Sequence, residues 1–204
     1  MESLTLEDQR LLQAEISSGE TVLWTGKPNP RVIFHPSDWF VIPFSILWSG
    51  FTIFWEAGVS GLGPWAGKGD PWSFGTLWGI PFILIGQYML WGRFFYIAWK
   101  KKRIVYALTS EQILVIVRPP QQKAISRYLR NVPGIEKEIR SDGIGTLKFG
   151  ETLPMWSTGR NNNTADPLYL NSSTPVFVDI DNAADTADLV TRQLRMISTN
   201  HSTS

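Results

Sequence analysis

The chain has 204 residues, with 19 Lys and Arg against 18 Asp and Glu, a formal net charge of +1, no cysteine and two histidines. Zero Cys excludes disulfides, thiolate metal sites and thiol nucleophiles; two His exclude a histidine-rich metal centre, and the balanced charge argues against a nucleic-acid partner. The mean hydropathy of −0.07 is that of an ordinary soluble protein. Read locally the picture differs: eight of the ten Trp lie between Trp39 and Trp99, where Glu56, Lys68, Asp70 and Arg93 are the only charges.

Residues 1–36 read as an N-terminal helix followed by an entry segment. Thr5 with Asp8 three residues on is a capping-box pattern, Gly19 is a natural stop, and Leu4, Leu11, Leu12 and Ile16 form one apolar stripe. That stripe can dock on a folded domain or lie on a membrane. The acidic start (Glu2, Glu7, Asp8) lacks the basic leader and apolar core of a cleavable signal. Thr21 to Trp24 is strand-like and can add a strand to a later sheet. Gly26, Pro28 and Pro30 then bend the chain away.

Residues 37–99 read as a transmembrane helical hairpin, with spans at about 38–56 and 72–93. Trp39–Trp55 is 17 residues without a charge and Trp72–Gly92 is 21; about 20 suffice to cross the hydrocarbon core. Trp near both ends of each run suits the aromatic belts of a membrane interface. The Gly- and Pro-rich connection 57–71 is a short loop between antiparallel helices. Basic residues fall outside it (Lys27, Arg31, Arg93 and Lys100 to Arg103), which places both termini in the cytoplasm. Pro43 and Pro81 are expected to kink their helices. Gly75, Gly79 and Gly86 form a small-residue face suited to helix packing, within the hairpin or in a homo-oligomer. Asp38, Glu56 and Arg93 are expected at span ends, within reach of headgroups and water. Without a central charge the hairpin reads as an anchor rather than a transporter.

Residues 100–197 read as a cytoplasmic α+β domain. Val105–Leu108 and Gln112–Arg118 are strands about a Thr109-Ser110-Glu111 turn, ended by Pro119-Pro120. Further strands are expected at Ala124–Leu129, Ile135–Arg140, Thr146–Phe149 and Pro175–Ile180, with a turn at Ser141-Asp142-Gly143. Asp181 to Ile197 is a helix whose acidic start and late Arg192 and Arg195 suit its dipole. A long polar insertion, 151–173, interrupts the strands; Trp156 within it is a candidate partner contact. Residues 198–204 are expected to be a disordered tail.

Three stretches together resemble bacterial membrane-anchored proteins with a pleckstrin-homology-like domain. They are Gly19-Glu20-Thr21-Val22-Leu23-Trp24-Thr25-Gly26-Lys27-Pro28 before the hairpin, Tyr106, Leu108, Thr109 and Ile113 just after it, and Phe177 to Ala183 leading into the last helix. Their order around a hairpin carries the resemblance, which covers Gly19 to about Ile197. It implies a strongly bent, seven-stranded antiparallel sheet capped by a C-terminal helix, and the 151–173 insertion departs from the compact family pattern. No activity, ligand or catalytic residue comes with it.

No phosphate-binding loop, dinucleotide fingerprint, zinc-protease or serine-hydrolase motif is present in the sequence. Asp179, Asp181, Asp185 and Asp188 resemble a metal cluster but read more simply as strand-end and helix-start carboxylates. Lys100, Lys101, Lys102 and Arg103 are a candidate contact for anionic lipid headgroups; the same four residues equally serve as the topology-fixing end of a span. A second basic group, Arg127, Arg130, Lys137, Arg140 and Lys148, reads as a solvated face. The expectation is a non-enzymatic, cofactor-free binding module in the bacterial cytoplasmic membrane. Its expected partners are the lipid bilayer and a membrane or cytoplasmic protein, not nucleic acid. The alternative is an accessory subunit whose hairpin packs against a larger membrane protein.

Overall fold

A computed structural model of the chain describes residues 4–34, 38–63, 74–120, 122–150, 168–170, 172 and 174–201, the side chains of the last two excepted. It divides into two compact units, Val32–Trp99 and the remainder, Met1–Arg31 with Lys100–Ser204.

The first unit is a helical hairpin. Helix α2 runs Asp38–Val59. Its partner is α3, Phe74–Gln87, continued by a π-helical turn at Tyr88–Gly92 and by α4, Arg93–Lys101. Both helices, of 22 and 28 residues, are long and apolar enough to cross a membrane. The second helix continues to Lys101, eight residues past the expected end of its span, and Arg93 within it pairs with Asp38. Pro43 and Pro81 both sit inside helices.

The hairpin is packed inside out. Ser45, Ser49, Thr52, Thr76, Gly79 and Gly86 are buried, whereas Leu47 is 71% exposed and Phe74 80%. Two of the buried hydroxyls are satisfied by their own helix, whereas Ser49 Oγ has no hydrogen-bond partner among the described residues. Ser45 Oγ donates to the Val41 carbonyl (2.6 Å) and Thr52 Oγ1 to that of Ser49 (3.1 Å). Asp38 and Arg93 are not separately solvated as expected; they meet at 2.9 Å with Asp38 buried.

The second unit is α+β, with seven strands among its described residues. β1 (Val22–Gly26), β2 (Ile104–Thr109), β3 (Gln112–Val117) and β4 (Lys123–Tyr128) form an antiparallel sheet in that order. β5 (Ile135–Ile139), β6 (Gly145–Phe149) and β7 (Val176–Ile180) form a second. The hydrogen-bonding thus differs from the single bent sheet implied by the resemblance. After β4 a 3₁₀ turn at Leu129–Asn131 leads into Pro133 and Gly134, residues poorly suited to continuing a ladder.

Every residue of β2 and β3 is buried, which explains why Ile113–Val117 is continuously apolar rather than alternating. One face is covered by α1 (Leu6–Glu15): Leu12, with Leu4, Leu11 and Ile16 beside it, packs on Ala107, Leu114 and Ile116. The apolar stripe therefore docks on the domain. The capping box forms as the sequence suggests, the Asp8 amide donating to Thr5 Oγ1 (3.3 Å) and the Thr5 amide to Asp8 Oδ2 (3.0 Å). On the opposite face Tyr106 stacks on Phe177 of β7. Helix α5, Ala183–His201, packs on β5, β6 and the 3₁₀ turn through Ala183, Ala187 and Val190. It runs four residues beyond the expected end, so 198–201 are helical and not tail; Ser198 and Thr199 hydroxyls fold back on the Arg195 carbonyl. Most of the 151–173 insertion, with Trp156, lies outside the described residues; Leu168 and Leu170 from its end are buried.

Asp8 is itself buried and holds Lys27 Nζ at 2.7 Å and Arg118 Nε at 3.2 Å. Burial alone would raise its carboxyl, but the bonds from Lys27 and Thr5 outweigh that and hold it below the usual carboxylate range. A depressed folded value stabilises the fold above the ordinary carboxyl pKa of about 3.9, and that contribution is lost as pH falls through the lower folded value. Asp8→Asn is therefore expected to lower stability at neutral pH and to flatten the acid limb of a stability-versus-pH curve. An unchanged acid limb in denaturant unfolding would remove Asp8 from that role.

Candidate functional site

Trp24 and Tyr106, from two of the three motif stretches, meet at Phe177 of the third. Its ring stacks on Tyr106 (centroids 4.8 Å) and Trp24 (5.4 Å) and meets Phe149 edge-on (4.8 Å). Two irregularities in the ladders accompany this arrangement. In β1, Val22 and Trp24 face the consecutive residues Thr109 and Leu108, a bulge that shifts the strand register just before Trp24. A side chain at Gly26 would collide with the indole of Trp24, so the small residue two places on lets the ring lie along its own strand. Buried Tyr106 is pushed above the ordinary phenol range by desolvation, and its oxygen accepts the Val178 amide at 3.1 Å.

The second irregularity places a charge. Between the Leu147–Phe177 and Gly145–Ile180 pairs β7 carries one extra residue, and Asp179 there takes a left-handed backbone (φ 49°). Aspartate tolerates that conformation better than most side chains. Asp179 Oδ2 receives Lys101 Nζ at 2.6 Å, and Lys101 is 0% exposed. The Asp179 carbonyl accepts the Asn29 amide (2.7 Å), and Asn29 Nδ2 donates to Asp181 (2.9 Å). Asn29 lies two residues before Arg31, where the first stretch of this unit ends, and Lys101 follows Lys100, where the second begins. The β7–α5 corner thus fastens both stretches of chain that flank the hairpin.

This places the predicted residues. Lys101 is not a headgroup contact; it is the buried partner of Asp179. Arg103 donates to the Pro119 carbonyl (2.6 Å), and Lys102 alone of the four is exposed, Lys100 and Arg103 being half-buried. Asp179 lies near the end of β7 and is buried. Gly79 and Gly86 pack α3 on α2: a Cβ at Gly79 would strike the Glu56 carboxylate, and one at Gly86 would lie 2.8 Å from Ser49 Oγ. Those two positions are filled within the hairpin; Gly75 is half-buried. In the second basic group Arg127 donates to the Phe149 carbonyl and Lys148 pairs with Glu138 and Glu136. Sequence reasoning missed the Lys27–Asp8–Arg118 cluster and the role of Asn29. Their signal was present in the Gly-Lys-Pro-Asn run, but its partners are distant in sequence.

Among the described residues no group of three or more His, Asp or Glu could hold a metal. Comparison with protein families, curated proteins and solved structures finds no match to the chain. The family resemblance therefore rests on the motif residues themselves.

Removing one partner of a buried pair leaves an uncompensated charge, at a cost of about 3–5 kcal/mol. Lys101→Met is expected to destabilise the β unit on that scale, and adding Asp179→Leu to restore most of the loss. Unfolding of the single and double variants, followed by near-ultraviolet circular dichroism, checks this; equal loss in both would show that packing, not charge, dominates.

Proposed function

We propose that the protein is a membrane-anchored, non-catalytic binding module. Its hairpin holds a pleckstrin-homology-like β domain at the cytoplasmic surface of a bacterial membrane, where the domain engages a protein partner. The inverted packing of the hairpin carries this reading. Hydroxyls and glycines fill its interior while Trp, Phe, Leu and Ile face outward, the reverse of a water-soluble helix pair and the arrangement favoured when the solvent is lipid. The β domain supports the rest. Its buried ionisable side chains (Asp8, Lys101, Asp179) are paired, Asp8 with the half-buried Lys27 and Lys101 with Asp179, which suits a rigid scaffold. The order of strands followed by a helix is the part of the resemblance that supports this reading; the division into two sheets departs from it.

A protein partner is favoured over a lipid headgroup, since Lys101 is withdrawn from the basic tetrad. The accessory-subunit alternative loses Gly79 and Gly86 to the hairpin's own packing.

The natural absence of cysteine makes topology directly measurable. With Leu62→Cys in the connection and Lys137→Cys on β5, a membrane-impermeant maleimide should label position 62 in intact cells and position 137 only after lysis. Labelling of both in intact cells, or of 137 alone, would overturn the proposed orientation. Copurification in mild detergent tests the partner; recovery of the bare chain under several growth conditions would count against a binding role.

A further inference from the structure

We infer that α4 does not stand in water beyond the membrane but lies in the headgroup layer of the inner leaflet, held there by an aromatic collar. The occupant of its exposed face is the lipid interface. This rests on the proposed crossing of the hairpin.

Helix lengths make the first case. At about 1.5 Å per residue α2 measures about 33 Å, close to the roughly 30 Å of hydrocarbon in a bilayer. The continuous helix from Phe74 to Lys101 measures about 42 Å on the same rise, so about 9 Å has no counterpart in α2. Asp38, the first residue of α2, bonds Arg93, the first of α4, and α2 packs along α3 and the π turn. The excess is therefore α4.

Exposure and chemistry make the second. Leu84, Tyr88, Trp91, Phe95 and Trp99 are all exposed and follow one another at steps of three or four residues, so the outward face of α3 continues without interruption along α4. Its composition changes on the way: aliphatic at Leu84, aromatic from Tyr88 onward. Phe95 is 76% exposed, Tyr96 43% and Trp99 47%. Phe34, 60% exposed, reaches the same helix by packing on Phe94 (centroids 5.3 Å). Tyr and Trp, with an apolar body and a polar edge, favour the glycerol and headgroup zone over either hydrocarbon or water, and Tyr88, Trp91, Tyr96 and Trp99 are the exposed rings of that kind here. The side of α4 away from Phe95 and Trp99 carries Arg93 and Lys100, so the helix is amphipathic in the sense an interface demands.

Nitroxide labels on single cysteines of the full chain, reconstituted in phosphatidylglycerol–phosphatidylethanolamine vesicles, test the assignment through accessibility to oxygen and to a water-soluble nickel chelate. Phe95→Cys and Trp99→Cys are the probes, with Tyr96→Cys as a second choice should either disturb folding. Leu47→Cys reports the hydrocarbon and Lys137→Cys the water. The expected result is a depth between the two references, with nickel accessibility severalfold below that at 137 and oxygen accessibility below that at 47. Nickel accessibility equal to that at 137 would overturn the inference by leaving α4 in water. Low accessibility to both reagents would overturn it by showing protein on that face, a second copy or a partner. Should position 47 itself show no excess of oxygen over 137, the crossing fails rather than the collar.

Discussion

A lysine with no exposed surface must find a counter-charge, and in this protein that need organises the β unit. Lys101 closes a long apolar helix, and the nearest available carboxylate is Asp179 on the last strand. Desolvating both ions is costly unless the geometry is close and the remaining bonds are made. Here the separation is 2.6 Å, and the bulge in β7 with its left-handed Asp179 supplies the aim. The same corner binds Asn29 through backbone and side chain. Chain segments more than seventy residues apart in sequence are thereby tied to one β-strand corner.

Around that corner lies a core whose shape depends on one ring. Phe177 touches aromatic side chains from β1, β2 and β6, so strands of both sheets share a single cluster. On the far side of β2 and β3, α1 seals the remaining face. Its ion pair from Asp8 to Lys27 then links the helix to the segment that leaves β1. The hairpin follows the opposite rule, with small and hydroxyl-bearing residues between its helices and large apolar ones outside.

Much of this was legible in the residues. The strand boundaries of the β unit and the capping box of α1 follow from local pattern, since a turn residue or a cap acts over three or four positions. The addition of β1 to the later sheet was also legible, because Thr21 to Trp24 is apolar and short of partners nearby. Less legible was the tetrad at 100–103. A run of four basic residues looks uniform in sequence, yet a helix end and the following strand turn its members in different directions. The glycines of α3 were read as a packing face without a partner being assigned, and only the register of α2 against α3 assigns it.

What the residues alone determine is the division into an apolar hairpin and an α+β unit, the approximate elements of each, and the absence of cysteine chemistry. These depend on composition and on periodicity over a few turns, which are local properties. What only the tertiary structure decides is which charges are solvated and which are buried: Lys101 with Asp179, Asp8 with Lys27, Asp38 with Arg93. Pairing of that kind depends on a bulge, a strand order and a helix register, and it joins residues 19 to 78 positions apart in sequence. No local pattern encodes that proximity, because it arises from the packing of the elements and not from any one of them.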